Sequence, residues 1–231
     1  MNSDLTPRQL EELAAYQRLI EKEAAGLDVR LSLSRHMDDF AAVDRGLEPS
    51  RIFSPDRQIG PGLVVLAKRG SVTLATWACI IFDTGPENMS DFLRHSSFYY
   101  DNGQDDWMFR GDALNQVKQM SGTIAYCGGL WVKEGHRRQD GSKLGPWWTA
   151  NVGLFGRSIM ASLRNPDWFW LISDYGKVAD KCAPRYGLKH LWKEVDWLVG
   201  GRSYDGLKVL GLQDRAHLLE SVDARLAQSR Q

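Results

Sequence analysis

The sequence contains little cysteine and no hydrophobic run long enough to cross a membrane. Its three cysteines, Cys79, Cys127 and Cys182, form no CxxC pair, which argues against a disulfide framework and against a zinc site. The longest apolar stretch, residues 72–82, is well short of the roughly twenty residues that a membrane-spanning helix needs. We therefore expect no metal and no membrane span.

The sequence also has no excess of charge of either sign. Its 29 Lys and Arg residues balance 29 Asp and Glu residues. A chain without a basic surplus is not expected to bind nucleic acid or an acidic membrane surface. Its first residues are charged and periodic and lack the apolar segment of a secretory signal. Together with the unpaired cysteines, these features predict a cytoplasmic protein.

The composition is otherwise that of a globular protein, with 43% hydrophobic and 25% charged residues. A length of 231 residues is compatible with one ample domain, and we expect a single domain over residues 1–231. Nine tryptophans are many for this length. They fit either a packed core or a large apolar ligand pocket, since such side chains line most pockets.

Hydrophobic periodicity predicts an α+β fold with a mixed sheet. Thr6 and Pro7 begin an N-terminal helix within residues 1–27, and a hydroxyl residue followed by proline is a common helix start. A long insertion, residues 83–121, contains a short helix near its end. The remaining predicted strands are 28–34, 63–67, 72–82, 123–132, 168–172, 188–198 and 206–210, and the remaining helices are 37–45, 144–163, 177–185 and a C-terminal helix within 211–231.

The loop between strand 123–132 and the following long helix has the composition of an anion site. It reads KEGHRRQDGSKLG and combines three glycines with His136, Arg137, Arg138 and Lys143. A helix N-terminus offers free backbone N–H groups and a positive dipole end, which suit a pyrophosphate. Neither the Walker A motif nor GxGxxG is present. The alternative is a solvated loop with ordinary helix caps.

In the order of its elements, this half of the sequence resembles the Gcn5-related N-acetyltransferase superfamily. In that family the fourth strand leads into an Arg/Gln-x-x-Gly-x-Gly/Ala loop, whose amides hold the pyrophosphate of acetyl-CoA. Residues 138–143, RQDGSK, occupy that place, with Lys143 where Gly or Ala is usual. The Tyr186-Gly187-Leu188 step matches a later signature of the family loosely.

The resemblance implies a mostly antiparallel central sheet flanked by helices, with an extra N-terminal helix and the insertion placed between the third and fourth strands. It also implies transfer of an acyl group from acyl-CoA to an amine of a small molecule or a protein, with acetyl as the first candidate for the acyl group. The residues expected to bind the CoA lie on the strand, the loop and the helix start: Leu130, Trp131, Val132, Arg137, Arg138, Gly141, Ser142, Lys143, Leu144 and Gly145.

The resemblance further implies that strand 123–132 splays from its neighbour, so that its free amides bond the pantetheine chain and one polarises the thioester oxygen. Glu134 and Asp174 are candidate bases for the amine, although Glu134 also fits a surface charge and Asp174 a helix N-cap. Tyr186 is a candidate acid for the leaving thiolate, or a packed ring. The family's usual acidic tyrosine falls at Ala183.

Three functions therefore stay open. The first is an acyl-CoA-dependent N-acyltransferase. The second is a non-catalytic CoA- or small-ligand-binding module on the same fold, which Ala183 and Lys143 favour. The third is an interaction protein whose terminal helices form a homodimer. The aromatic insertion fits an acceptor site, a lid or a dimer contact.

Overall fold

The computed structural model of the chain describes residues 4–43, 53, 60–95, 105–109, 111–174, 188, 190–199, 202–203 and 208–230. Within them the helices are α1 (Pro7–Gly26), α2 (Met37–Ala41), α3 (Met89–His95), α4 (Gly111–Gln119), α5 (Leu144–Arg164) and α6 (Arg215–Gln228). The strands are β1 (Arg30–Ser34), β2 (Gly62–Arg69), β3 (Val72–Asp83), β4 (Asp105–Phe109), β5 (Thr123–Val132), β6 (Trp168–Asp174), β7 (His190–Val199), β8 (Arg202–Ser203) and β9 (Lys208–Asp214).

The nine described strands belong to one sheet, in the order β1-β2-β3-β5-β6-β9-β7-β4, with β8 paired to β7. Every pair is antiparallel except β5 with β6, which run parallel. The sequence-based prediction of a mixed, mostly antiparallel sheet flanked by helices is therefore confirmed. Because a parallel pair needs a crossover, the long helix α5 lies between β5 and β6 in the chain.

Local signals place several elements where the sequence predicts them. Thr6 caps α1 by accepting a hydrogen bond from the Gln9 amide, and the Gln9 side chain accepts one from the Thr6 amide. This reciprocal arrangement satisfies two amides that a helix start otherwise leaves unbonded. The polar turn between β2 and β3 contains Gly70, whose φ of +58° is a conformation that glycine adopts without steric cost. The bounds of β5 match the sequence-based prediction.

Two hydrophobic clusters cover the two faces of the sheet. On one face, α1, α5 and α6 pack together over the odd-numbered residues of β3, such as Trp77. On the other face, α2, α3 and α4 contribute to a cluster over Ala78, Ile80 and Phe82 of the same strand. Residues 151–161 of α5 are all buried. The sheet thus carries a helical layer on each side, and the ends of its strands remain for a site.

The structure differs from the sequence-based prediction in the insertion and at the C-terminal end. The predicted insertion, residues 83–121, begins with the last residue of β3 and contains α3 and β4 as well as the expected helix, and β4 forms because it pairs with the distant strand β7. The last strand runs to Asp214 rather than ending at residue 210, since it pairs with β6 along its length. Asp214 then caps α6 through the His217 amide. The predicted helix 177–185 lies outside the described residues.

Candidate functional site

The parallel pairing of β5 with β6 is short. It covers Ile124, Ala125 and Tyr126, which pair with residues 168–170. Beyond Tyr126, β5 continues to Val132 beside β3 alone, while β6 continues to Asp174 beside β9. In this part β5 has no described neighbour on its β6 side. Alternate backbone N–H and C=O groups of a strand point to opposite sides, so some of them face the opening between β5 and β6. The described pairing therefore stops in the part of β5 where the sequence-based prediction has the strand splay from its neighbour.

A β-bulge lies in the open part of β5. Gly128 pairs with Ala78 and Trp131 pairs with Thr76, so β5 has one more residue than β3 over this stretch. Gly129 sits in the bulge with a φ of +62°, and its carbonyl accepts a 2.9 Å hydrogen bond from the Thr76 hydroxyl. Bulges twist a strand and redirect its backbone groups, and they are frequent beside active sites. The paired glycines noted in the sequence mark this irregularity.

The loop after β5 folds tightly on itself. The Lys133 amide bonds to the Leu74 carbonyl at 2.8 Å, and the His136 amide bonds to the Lys133 carbonyl at 3.0 Å. Arg137 closes the turn, since its Nε donates to the Val132 carbonyl at 3.0 Å. Its amide donates to Asp140 Oδ2 at 2.9 Å. Arg137 therefore holds the loop, and the Asp140 carboxylate is directed to the loop's own backbone.

A single 3-10 turn (Arg138–Asp140) leads to Gly141, which has a φ of +73° and open space where a Cβ would stand. Helix α5 begins three residues later, and the side chain of its N-cap residue, Lys143, makes no capping hydrogen bond. The Leu144 amide bonds to the Ser142 hydroxyl at 3.2 Å. Among the described residues, none accepts a hydrogen bond from the amides of Ser142, Lys143 and Gly145. These donors suit an anion at the start of the helix.

Gly145 is required by packing. A Cβ on Gly145 would lie 2.7 Å from the His136 carbonyl oxygen and 3.0 Å from Cα of Arg137. The residue is buried, so its missing side chain lets the first turn of α5 rest on the preceding loop. It therefore fixes the position of the amides of Ser142 and Lys143 relative to β5.

The charged side chains of the loop differ in their surroundings. Arg138 and Lys143 are exposed, and nothing in the described part of the chain pairs with either. Glu134 is also exposed, in the turn directly after β5. The loop therefore presents two cations without a described partner, close in sequence to the amides at the start of α5 that no described group accepts from.

The predicted catalytic residues occupy different places. Leu130 and Asp174 each follow the Tyr126–Trp170 pair by the same number of residues, so Asp174 stands on the opposite wall of the opening. Glu134 lies at the loop end of that opening. Tyr186 lies outside the described residues, as does Cys182.

Sequence reasoning assigned Trp131 to the site but gave it no particular role. Its indole Nε1 is buried, and no described group accepts a hydrogen bond from it. A buried unsatisfied donor costs free energy, and such a donor is a place where a ligand acceptor is expected. No pattern in the sequence distinguishes this tryptophan from the other eight.

Sequence reasoning did not find Phe40 and Phe53. A Cβ on Gly129 would lie 2.7 Å from Cζ of Phe40, and a Cβ on Gly128 would lie 2.9 Å from Cε2 of Phe53. Both rings are almost completely buried. They lie against the bulge from residues distant in sequence, which no local pattern reveals.

Cys79 and Cys127 face each other across β3 and β5, with their sulfur atoms 3.7 Å apart. Both thiols are buried and free. Burial raises the pKa of Cys79 well above its usual value, which favours the unreactive thiol over the nucleophilic thiolate. This pair belongs to the core.

Three further observations on the described residues concern cavities, metal ligands and membrane-spanning helices. Three cavities lined by described residues, of about 420, 300 and 350 Å³, lie near edge strand β1, and none of these three is lined by a residue of the β5 opening or its loop. Among residues the structure describes, none form a His, Cys, Asp and Glu group able to hold a metal. No helix in the described ranges is long and apolar enough to cross a membrane.

No protein-family model and no curated protein matches the chain in sequence. Solved structures of acyltransferases resemble it in fold. Arabidopsis thaliana NAA60 in complex with acetyl-CoA is 12% identical, with a TM-score of 0.47, and the match covers 81% of this chain and 99% of that chain. FeeM, an N-acyl amino acid synthase from uncultured soil microbes, is 11% identical with a TM-score of 0.38, covering 93% and 88%.

The microcin C7 self immunity acetyltransferase MccE, in complex with acetyl-CoA and AMP, is 10% identical with a TM-score of 0.33, covering 89% of this chain and 88% of that chain. All three similarities are similarities of fold, at 10–12% identity and TM-scores below 0.5. At these values the likeness concerns the fold alone.

Proposed function

We propose that this protein transfers an acyl group from acyl-CoA to the amine of a small molecule or a protein. The observation that supports the proposal is the opening between β5 and β6, which leads from the Gly129 bulge to the free amides at the start of α5. Such an opening can receive an extended chain, and such a helix start can receive the diphosphate to which that chain is attached.

The residues that line this path fit a CoA thioester. The amides of Ser142 and Lys143 would bond the diphosphate, and the side chains of Arg138 and Lys143 would balance its charge. The backbone of residues 130–132 would bond the amide groups of pantetheine as an added strand does. The Trp131 indole N–H, which lacks a described acceptor, would bond a carbonyl of the same chain.

At the reacting end, a backbone N–H of β5 near the bulge would polarise the thioester oxygen. The amine nitrogen forms a bond to the carbonyl carbon, and the carbon–sulfur bond breaks with its electron pair on sulfur. The amine loses one proton to a base, and the thiolate of CoA takes one, giving an amide and free CoA. Holding both reactants in the opening supplies much of the rate.

We assign the proton transfers to the predicted residues. Asp174 stands across the opening from Leu130 and is the first candidate base, and Glu134 at the loop end is the second. Tyr186 remains the candidate acid for the thiolate. A base within hydrogen-bond reach of the amine, directly or through water, typically contributes a factor of about 10²–10⁴ to the rate.

The proposed CoA site can be tested with a pair of glycine variants. Gly141 and Gly70 both have positive φ and open space at the Cβ position, so valine strains the backbone at each by roughly 1–2 kcal/mol or more. Gly141→Val should weaken CoA binding about tenfold or more by reshaping the loop, where tenfold is about 1.4 kcal/mol. Gly70→Val, in the β2–β3 turn, should leave the affinity unchanged.

Calorimetric titration with CoA measures both affinities, and denaturant unfolding confirms that the two variants lose similar stability. Equal CoA affinity in Gly141→Val and the wild type would count against the site. Thiol release from acetyl-CoA with a library of amines separates catalysis from binding. Tight CoA binding without thiol release would favour the non-catalytic module, for which Lys143 and Ala183 are the supporting residues.

A further inference from the structure

Resting on the proposed function, we propose that the rings of Phe40 and Phe53 limit the length of the acyl group, so that the donor is acetyl-CoA rather than a longer acyl-CoA. These two side chains are therefore specificity-determining residues of the acyl end of the site. Two features of β5 support this assignment. The first is the position along the strand at which the thioester falls, and the second is the pair of phenyl rings that already occupies that position.

The position of the thioester follows from the length of the strand. The diphosphate site lies just beyond the end of β5, and the Gly128–Gly129 step lies near the closed end of the opening, where pairing with β6 stops. From Gly128 to Lys133 an extended strand spans roughly 16 Å at about 3.3 Å per residue. This span is comparable with an extended pantetheine arm, so the acyl group falls beside the bulge.

Two phenyl rings already fill the space over the bulge. The Phe40 ring approaches the Cβ position of Gly129 to 2.7 and 2.8 Å, and the Phe53 ring approaches that of Gly128 to 2.9 and 3.1 Å. Real Cβ atoms are hardly ever found so close to another atom, so only glycine backbone fits beneath the rings. Glycine is thus used at both positions to bring aromatic side chains onto the strand.

The rings are held from behind and have little room to move. The centroids of Phe40 and Phe53 are 5.5 Å apart, Phe53 stacks on Tyr126 at 5.5 Å, and Tyr126 meets Trp170 edge-on at 5.1 Å. All four side chains are at most 5% exposed. Displacing either phenyl ring would disturb a close-packed aromatic row that reaches the last parallel pair of β5 and β6.

A longer acyl chain would therefore meet this row. An acetyl group adds one methyl beyond the carbonyl, whereas each further methylene must enter space that the rings fill. A methylene that a pocket does not accommodate typically costs a factor of about 10–200 in specificity. The aromatic residues near the site thus make the acyl end small, rather than forming the large apolar pocket that the tryptophan content allowed.

The test is a titration series with CoA, acetyl-CoA, butyryl-CoA and hexanoyl-CoA on the wild-type chain and three variants. Wild type should bind acetyl-CoA about as tightly as CoA and hexanoyl-CoA at least about tenfold more weakly. Phe53→Ala should reduce that ratio to about threefold or less by opening space over Gly128. Phe53→Leu, which retains most of the buried volume, should give an intermediate ratio and guards against a variant that fails to fold.

Phe169→Ala is the matched control, because Phe169 is equally buried and belongs to the cluster on the opposite face of the sheet. Its hexanoyl-to-acetyl ratio should equal that of the wild type. A ratio within one variant does not depend on the folded fraction, because both ligands sample the same protein. Equal affinity of the wild type for CoA and all three acyl-CoA thioesters, or a ratio unchanged in both Phe53 variants, overturns this inference and leaves the proposed function standing. Failure of CoA itself to bind overturns both.

Discussion

Residues 124–126 of β5 have a strand on each side, whereas residues 127–132 of the same strand have β3 on one side and no described strand on the other. The first part consists of Ile124, Ala125 and Tyr126, all buried. The second part contains two glycines, a bulge and an indole N–H without a described acceptor. Within one strand the first part anchors the sheet and the second presents backbone groups.

This contrast shows how a regular sheet can present unpaired backbone groups within one of its own strands. A strand that loses a neighbour leaves backbone hydrogen bonds unmade, and buried groups of this kind need partners. The strand continues into the loop held by Arg137, and that loop rests on Gly145 at the start of α5. Stability should therefore depend mainly on the paired part, and ligand affinity on the open part and the loop.

The largest expected effect is on the free energy of unfolding, and it distinguishes the paired part of β5 from the open part. Ile124 is completely buried between the sheet and its helices, so Ile124→Ala should lower the free energy of unfolding by about 2–5 kcal/mol. The affinity of this variant for CoA should stay within about twofold of the wild type at temperatures where the variant is folded. A tenfold loss of affinity would need a loss of about 1.4 kcal/mol of binding free energy at the site, which a change in the paired part should not cause.

Leu130→Ala, in the open part, is the comparison for this variant. Leu130 is only partly buried, so the loss of stability should be smaller than for Ile124→Ala. Denaturant unfolding measures both values. A larger loss for Leu130→Ala would show that the open part is a structural strand, which the proposed division does not allow.

A smaller effect is expected at two indole N–H groups, that of Trp131 in the open part of β5 and that of Trp147 in α5. Trp131→Phe removes a buried donor that has no described acceptor, so the free protein should be as stable as the wild type or more stable. Its affinity for CoA should fall about tenfold, which is about 1.4 kcal/mol, because the ligand loses a hydrogen bond.

Trp147→Phe provides the opposite case. The Trp147 indole donates to Glu23 of α1 at 2.9 Å, and hydrogen bonds to charged groups contribute about 1.5–3 kcal/mol. This variant should lose stability and retain its CoA affinity. If Trp131→Phe and Trp147→Phe shift stability in the same direction as each other, and CoA affinity in the same direction as each other, the role proposed for the Trp131 indole is wrong.

Much of the fold could be predicted because its signals are local. The capped start of α1, the glycine turn between β2 and β3, and the apolar run of β5 each lie within a few residues of the element that they define. Strand β4 could not be predicted, because its partner β7 is far away in the sequence and supplies its register. The extension of β9 to Asp214 has the same cause.

The candidate site likewise has one part that could be predicted from local sequence and another that could not. The loop glycines and cations could be read from residues 133–145, and the structure brings them to the start of α5 as expected. The rings over Gly128 and Gly129 depend on contacts between α2, residue 53 and β5. A pair of glycines in a strand indicates a close approach, but nothing in the sequence names the residues that approach.

Amide hydrogen exchange with and without saturating CoA tests the central claim most directly, because it reports on each backbone N–H separately. We predict slower exchange at residues 128–132 and 142–145 when CoA is bound, and no change at residues 124–126, which are already hydrogen-bonded on both sides. Binding of CoA without added protection in the first two ranges, or with protection confined to the cavity beside Arg30 and Lys68, would contradict the account.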